Sequence, residues 1–419
     1  MSPTSDEAAE PKGGITRRRL IGVGAAGGIA LAAGGGFALG QAQASTDPSA
    51  ETVDFYGEHQ AGITTPAQDR LHFAAFDMTS DNIADLRTLM KEWTVAAARM
   101  TKGLPAGTDN DDPSLPPDDT GEAMGLGPAD LTITVGFGPS LFDGRFGLAD
   151  QRPPELKDIP RLPADELDPT ISNGDLCIQA CANDPQIAFH AVRNLTKIAQ
   201  GVAVMRWCQL GFGRTSRTGA EQETPRNLMG FKDGTNNILN DDTDALNEFV
   251  WVGDEGPEWM RGGSYLVSRR IRMLIEPWDR TFLQEQEAVI GRMKESGAPI
   301  GEKNEKDAVD LDAIGPDGNF AVASDAHIRL SSPETNDGEK ILRRGYSFTD
   351  GFDVTRGQLD AGLFFICFQQ NPEKQFVRIQ TQLGQNDRLN EYILHTSSAL
   401  FAIPAGVKAE GGYFGEGLI

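Results

Sequence analysis

Cysteine, histidine and the larger aromatic residues are scarce in this chain. Its 419 residues include 4 Cys, 5 His, 5 Trp and 5 Tyr. Four cysteines are too few to cross-link a chain of this length into a disulfide scaffold. Cys177 and Cys181 lie on one predicted strand, and no second cysteine pair or adjacent histidine completes a zinc site. We therefore expect Cys177, Cys181, Cys208 and Cys367 to be buried, unreactive thiols.

Basic residues are also few. The chain has 38 Lys+Arg against 61 Asp+Glu, which gives a formal net charge of -23. Because nucleic-acid binding needs clustered Lys and Arg, this balance excludes nucleic acid as an expected partner. It also argues against adhesion to an anionic membrane surface. The length is enough for two or three compact units with their own cores.

The long apolar run of the chain lies near its N-terminus. Three arginines, Arg17 to Arg19, precede an Ala- and Gly-rich stretch over residues 20–39, and Ala42-Gln43-Ala44 follows it. These are the parts of an export signal, and paired arginines before two apolar residues match its twin-arginine form. A transmembrane anchor is the alternative. Eight glycines between Gly22 and Gly40 lower the hydrophobicity of the run, and no basic cluster follows it.

We expect residues 1–44 to be a twin-arginine signal peptide that the export machinery recognises and that is then cleaved. The mature protein would lie in the periplasm or outside the cell. Cleavage would remove four basic and three acidic side chains and change the net charge from -23 to -24. No later segment is long and apolar enough to span a bilayer, so no membrane anchor is expected after cleavage.

Strand-like and helix-like segments recur in two similar sets along the mature chain. The four predicted strand–helix pairs are residues 71–76 with 83–93, 175–181 with 187–201, 264–275 with 278–294, and 362–368 with 373–382. The intervening Gly-, Pro- and Asp-rich segments are predicted surface loops: residues 103–128, 151–163 and 297–320.

This pattern predicts a duplicated ferredoxin-like α+β fold with antiparallel sheets, of the dimeric α+β barrel-like type. The two halves would cover residues 45–222 and 223–419, with the boundary near residues 215–228. Chance similarity between short strand–helix units is the alternative.

Histidine and glycine patterns single out two segments of the second half. His72 and His190 fall within a predicted strand and helix, where a core or surface role is expected. His327 lies in the sequence DAHIRL, shortly before the basic segment KILRRGY at residues 340–346. Its neighbours leave open whether it is a ligand.

Residues 230–237 have the sequence GFKDGTNN. An Asp-Gly pair usually marks a turn, and Asp233 could serve as a turn residue or a helix N-cap. Neither role conflicts with chemistry at Asp233, because the flanking glycines let the backbone approach a bound group closely.

The ordered set of motifs resembles the dye-decolourising peroxidase family, and within it the twin-arginine-exported branch that includes the periplasmic deferrochelatase-like proteins. The resemblance covers essentially the whole mature chain. The motifs are YGEHQAGI at residues 56–63, GFKDGTNN, His327, Arg343, GYSF at 345–348, GLFFICFQ at 362–369 and YILHT at 392–396.

The resemblance implies haem b, held non-covalently in the C-terminal half. The lack of a Cys-x-x-Cys-His sequence agrees with this, because that motif attaches c-type haem. It implies that His327 is the proximal iron ligand, with Asp233 and Arg343 on the distal side where peroxide binds. The glycine of the same motif, Gly234, would lie against the haem.

The resemblance also suggests outer contacts of the haem. Arg329 would pair with a propionate through a charge-assisted hydrogen bond, and Leu363 and Phe365 would wall the distal pocket. Some relatives have Asn two residues after the distal arginine, whereas this chain has Gly345, so peroxide activation would depend on Asp233 and Arg343 alone. The carboxylate behind His327 is not identified by the sequence, where four candidates lie nearby: Asp307, Asp310, Asp312 and Asp325.

The expected function is that of an exported haem b peroxidase. It would reduce hydrogen peroxide through an oxo-ferryl intermediate and oxidise small aromatic donors, such as dyes and phenolics, by one-electron steps. A deferrochelatase, or another protein of haem or iron acquisition in the cell envelope, is the second hypothesis, and a cofactor-free binding domain is the third. Assembly into a homo-oligomer is a further expectation from the resemblance.

Overall fold

The computed structural model describes residues 52–108 and 112–419, so the predicted signal peptide lies outside the described residues. The strands are β1 (Arg70–Met78), β2 (Thr132–Phe137), β3 (Leu176–Ala182), β4 (Ala203–Arg214), β5 (Ser264–Met273), β6 (Leu342–Arg343), β7 (Tyr346–Asp353), β8 (Gln358–Gln369) and β9 (Ile393–Ile403). The α-helices are α1 (Ile83–Met100), α2 (Pro185–Ile198), α3 (Thr243–Phe249), α4 (Ile275–Trp278), α5 (Leu283–Ile290), α6 (His327–Leu330) and α7 (Arg378–Asn386).

These strands form one antiparallel sheet in the order β5-β9-β2-β3-β1-β4-β7-β8-β6. The first half has the local order β2-β3-β1-β4, and the second half has the equivalent order β7-β8-β5-β9. Each half therefore repeats the ferredoxin-like arrangement of two strand–helix–strand units. The predicted duplicated α+β fold is confirmed.

The sheet closes into a barrel. Within the second half β5 pairs with β8 over residues 265–272. The halves meet at two seams, where Arg214 of β4 pairs with Tyr346 of β7 and Phe137 of β2 pairs with Ala402 of β9. Closure leaves few free strand edges, which would otherwise pair with other chains.

Alternate residues of the strands fill the barrel with aromatic side chains. Phe73, Phe364 and Phe401 meet there, with ring centroids of the Phe73 pairs 5.4 and 6.1 Å apart. Cys177 and Cys181 share this buried interior, as expected for residues four apart on a strand. Burial raises the pKa of the Cys177 thiol, which keeps it protonated.

The expectation that all four thiols are buried is wrong for Cys208. Cys208 is exposed, whereas its neighbour Trp207 is buried in the barrel. The reason is the two-residue period of β4, which turns successive side chains to opposite faces of the sheet. Cys367 is buried as expected.

The first half covers the outer face of its sheet with two long helices. Leu86, Met90 and Trp93 lie on the buried face of α1. Asn82 accepts a hydrogen bond from the Ala84 N–H at the start of α1, and Asp184 accepts one from the Gln186 N–H at the start of α2. Of the helices described, none is both long and apolar enough to cross a membrane.

The predicted helix over residues 278–294 is wrong in extent, because the chain forms two shorter helices there. The first, α4, ends at Trp278, and α5 ends at Ile290 and is followed by the cap residue Gly291, which has a φ of +88°. This left-handed conformation favours glycine and stops the helix. The helix predicted at 373–382 begins as a π-helical turn, Glu373–Val377, and continues as α7.

One ion pair is fully buried against the outside of the barrel. Arg269 of β5 donates to the carboxylate of Asp165, and both side chains are 0% exposed. Asp165 also accepts a hydrogen bond from the Leu162 N–H at 2.9 Å. Loss of either partner would leave the other charge buried and uncompensated.

We expect Asp165→Ala to lower the free energy of unfolding by about 3–5 kcal/mol, because it leaves the guanidinium of Arg269 buried without a counter-charge. Urea unfolding followed by circular dichroism measures this. Asp77→Ala is the control, since Asp77 pairs with Arg206 at 2.9 Å but both side chains are about one third exposed. We expect Asp77→Ala to lower the free energy of unfolding by about 0–1 kcal/mol. Equal losses of stability in the two variants would contradict the conclusion that burial makes the Asp165–Arg269 pair the more important one.

Candidate functional site

A cavity opens on the outer face of the second half of the sheet. Ile271 of β5, Leu363 and Phe365 of β8, and Ile393 of β9 line one of its sides. Phe364, between the two β8 residues, belongs to the barrel interior instead. The two-residue period of the strands therefore separates the cavity wall from the barrel core.

His327 begins α6 and lines the cavity, with its side chain 34% exposed. The position of α6 depends on Gly291 at the end of α5. A Cβ on Gly291 would lie 2.6 Å from Cγ1 of Ile328, so glycine allows this close approach. This close contact fixes the position of the turn that carries His327.

The imidazole of His327 is held from behind by Asp387. Nδ1 of His327 lies 2.6 Å from Oδ2 of Asp387, whose side chain is 2% exposed. The other oxygen of Asp387 accepts a hydrogen bond from the Leu389 N–H at 2.8 Å. Because Nδ1 is engaged, Nε2 is the nitrogen that remains for a ligand.

Burial lowers the pKa of His327, but the charge and the hydrogen bond of Asp387 outweigh this effect, so the net pKa is raised. The carboxylate makes the imidazole a stronger electron donor to whatever Nε2 binds.

Asp387 is the residue that the sequence did not identify. The partner of Nδ1 is none of the four candidates near His327, and Asp307 and Asp310 accept hydrogen bonds from backbone N–H groups of their own turns. Asp387 is 60 positions away and follows α7. No motif in the sequence connects the two residues, because only the packing of α7 beside α6 brings them together.

Asp233 and Arg343 form an ion pair that also lines the cavity. Nη1 of Arg343 lies 2.8 Å from Oδ1 of Asp233, and the two side chains are 26% and 19% exposed. Asn227 Nδ2 donates to Oδ2 of Asp233 at 3.2 Å, and the Asp233 N–H donates to the Pro225 carbonyl at 2.9 Å. Gly234, with a φ of +90°, lets the turn pass Ser216, whose Cα would lie 2.8 Å from a Cβ there.

Asn237, in the same motif, holds the backbone of Arg343 on both sides. Its Oδ1 accepts from the Arg343 N–H at 2.8 Å, and its Nδ2 donates to the Arg343 carbonyl at 2.9 Å. The sequence motif contained Asn237, but nothing in it indicated this partner. The hydrogen bonds connect the GFKDGTNN turn directly to the strand of the arginine.

Gly345, which the resemblance marked as a departure from an expected Asn, is closely surrounded. A Cβ on Gly345 would lie 2.8 Å from Oγ1 of Thr215 and 3.1 Å from Cδ1 of Leu363. A larger side chain would therefore displace the cavity wall.

The cavity thus brings together Asp233, Gly234, His327, Arg343, Leu363 and Phe365.

Arg329 is the predicted site residue that does not line the cavity. Its guanidinium donates to the carbonyls of Leu311, Val322 and Ala323 and lies 4.6 Å from the ring centroid of Phe320. The pairing of Arg329 with a propionate stays a prediction. Cationic side chains that do line the cavity, besides Arg343, are Lys232, Arg292 and Lys340.

The residues present fit a haem. A proximal imidazole is the ligand that peroxidases and globins offer to haem iron. A carboxylate is one of the usual outer partners of a metal-binding histidine, and the walls of the cavity are largely apolar. None of the described residues that line the cavity is a cysteine, which suits a non-covalently held group.

Comparisons with known proteins agree with this geometry. The family described as "Dyp-type peroxidase, N-terminal" matches residues 60–213, and "Dyp-type peroxidase, C-terminal" matches residues 224–408. The chain is 41% identical over 381 residues to a protein named deferrochelatase from Escherichia coli (strain K12), covering 90% of this chain and 89% of the relative. It is 40% identical over 420 residues to a deferrochelatase from Shigella sonnei, covering 96% and 97%.

The chain is also similar to solved structures of Dyp-type peroxidases. Ferric DtpA from Streptomyces lividans is 40% identical, with a TM-score of 0.81, covering 90% of this chain and 99% of that chain. A DyP-type peroxidase from Cellulomonas bogoriensis is 38% identical, with a TM-score of 0.79 and coverage of 88% and 99%. The chain therefore belongs to the Dyp-type peroxidase family and is a haem peroxidase.

Proposed function

We propose that this protein is an exported haem b peroxidase that reduces hydrogen peroxide and oxidises organic donors, such as dyes and phenolics, by one-electron steps. The observation that carries the proposal is the Asp233–Arg343 ion pair, at 2.8 Å, in the same cavity as the His327–Asp387 pair. In this proposal His327 holds the iron, and Leu363 and Phe365 exclude water.

When bound, the haem would supply the iron centre that reduces peroxide and then accepts electrons from the organic donors. Asp233 can take a proton from one oxygen of hydrogen peroxide and return it to the other. Its Oδ1 faces Arg343, whereas its Oδ2 accepts a longer hydrogen bond from Asn227 and keeps a second lone pair for that proton.

Arg343 orients the peroxide and stabilises negative charge as the proton moves. Its guanidinium has five N–H donors in a fixed planar arrangement, so it can contact Asp233 and peroxide together. The two hydrogen bonds from Asn237 hold the backbone of Arg343 in place. This arrangement requires no reorganisation when charge develops.

Removal of iron from haem is a second candidate function. It is favoured by the name deferrochelatase of relatives at 40–41% identity. The same cavity would serve it, because both functions begin with bound haem. Recovery of iron together with intact protoporphyrin would support this function, whereas peroxide-dependent bleaching of an anthraquinone dye would support the first.

Export is the remaining part of the proposal. Its support is the arrangement of Arg17 to Arg19, the apolar run over residues 20–39 and the Ala42-Gln43-Ala44 site. The twin-arginine route carries folded proteins, so haem could be loaded before export.

We expect Asp233→Asn and Arg343→Leu to keep bound haem but to slow the reaction with hydrogen peroxide by about 10²–10³-fold, since they remove the proton carrier and the charge stabiliser. Stopped-flow absorption at the Soret band measures the rate. Arg356→Leu, a change in an exposed arginine of the β7–β8 hairpin, is the control. Rates equal to wild type in both site variants would reject the two roles.

His327→Ala should abolish stable haem binding, as judged from the ratio of Soret to protein absorbance. Asp387→Asn should weaken haem binding by about 10–100-fold, because the imidazole loses its carboxylate partner. Transfer of haem to apomyoglobin measures this. Asp325→Asn is the matched control from the same part of the sequence, and an effect there as large as that of Asp387→Asn would contradict the pairing.

Replacement of Arg17, Arg18 and Arg19 by lysine should retain the protein in the cytoplasm, because the twin-arginine machinery distinguishes arginine from lysine although the charge is kept. Cell fractionation and the size of the chain on a gel measure export and cleavage. Lys12→Gln, which keeps the three arginines, should be exported normally. Normal export of the lysine variant would overturn the twin-arginine assignment.

A further inference from the structure

The segment between α5 and α6 connects the two sides of the cavity. Residues 292–326 contain no helix or strand, apart from isolated bridges, and lead directly into His327. Most of this segment was predicted as a surface loop. The side chain of Glu305, within this segment, is nevertheless mostly buried, with 15% of its surface exposed.

The carboxylate of Glu305 contacts the residues on both sides of Asp233 and Gly234. It forms an ion pair with Nζ of Lys232, whose side chain is 26% exposed. Oγ1 of Thr235 donates to Oε1 of Glu305 at 3.2 Å. One carboxylate thus holds the two ends of the short turn that presents the catalytic carboxylate.

The backbone of the segment is fixed at the same place. Nη1 of Arg292 donates to the carbonyls of Gly297, at 2.7 Å, and Glu305, at 3.0 Å. Gly297 has a φ of +78°, and a Cβ there would lie 2.7 Å from Cδ of Lys232. The segment therefore packs closely against Lys232 in addition to the ion pair.

The other end of the segment is tied to α6 by Arg329. Its Nη2 donates to the carbonyls of Leu311 and Val322. Arg329 lies two residues after His327, so the guanidinium anchors the segment to the turn that carries the predicted iron ligand. The segment is held to the Asp233 turn by Glu305 and to the His327 turn by Arg329.

Glu305 keeps its charge in this environment. Burial raises the pKa of its carboxyl, but the hydrogen bonds from Lys232 and Thr224 and the charge of Lys232 outweigh burial and hold the pKa below its usual range.

We propose that Glu305 is a positioning residue for the peroxide reaction. By holding Lys232 and Thr235, it fixes the Asp233 carboxylate against Arg343, and it ties the segment that leads to His327 to the same turn. This inference rests on the proposed role of Asp233. Glu305 itself does not touch the reacting atoms.

A double-mutant cycle on the haem-loaded protein tests the inference. Glu305→Gln should lower the second-order rate constant for hydrogen peroxide roughly tenfold, because small misplacements of a reacting group have large effects on rate. In the Asp233→Asn background the same change should have less than about a twofold effect, since residues that act through one another are not additive. Glu302→Gln, an exposed glutamate of the same segment, is the matched control and should match wild type.

Haem transfer to apomyoglobin supplies a readout other than activity. Glu305→Gln should release haem several-fold faster than wild type and Glu302→Gln, because the segment before His327 loses its ion pair with the Asp233 turn. Release at the wild-type rate would overturn the link to His327. The positioning role would be overturned if Glu305→Gln leaves the rate constant for hydrogen peroxide unchanged. It would also be overturned if Glu305→Gln lowers that rate constant by the same factor in the wild-type and Asp233→Asn backgrounds. If Asp233→Asn itself reacts at the wild-type rate, the proposed role of Asp233 fails instead.

Discussion

The site depends on the pairing of β5 with both β8 and β9. Ile271 of β5 lies opposite Leu363 of β8 and opposite His395 of β9, and all three line the cavity. A slip of one residue in this register would point the side chains of the cavity wall into the barrel interior, and it would point the side chains of the barrel core outward. A β-bulge between Arg270 and Ile271 in the β5–β9 pairing places His395, rather than Thr396, opposite Ile271.

The two halves share a topology but differ in how their sheets are covered. In the first half α1 and α2, of 18 and 14 residues, pack on the sheet and bury large side chains such as Trp93. In the second half α4, α5, α6 and α7 have 4, 8, 4 and 9 residues. The cavity opens on the half whose sheet is covered by the shorter helices. The duplicated fold thus keeps one half as a packed support and uses the other for chemistry.

Charges at the site are arranged in pairs in a chain whose net charge is strongly negative. His327 has Asp387 behind it, Arg343 faces Asp233, and Lys232 faces Glu305. Each of these basic side chains meets a carboxylate from a distant part of the chain. Such pairs hold the polar groups in fixed orientations at the edge of an apolar cavity, where electrostatic interactions are stronger than in water.

The sequence by itself determined the motifs and the strand–helix pairs, apart from the extent of the helix predicted at 278–294. Hydrophobic periodicity identified α1 and the strands around Phe73 and Phe364, and the repeated order of elements indicated the duplication. The residues of GFKDGTNN, His327 and Arg343 were identified through the family they resemble. The tertiary structure decided which side chains meet: Asp387 with His327, Asn237 with Arg343, and Glu305 with Lys232. It also decided that Arg329 contacts backbone carbonyls and that Cys208 is exposed. The physical reason is that periodicity reports local burial, whereas these partners are 60 to 106 positions apart and meet only after the strands have taken their register.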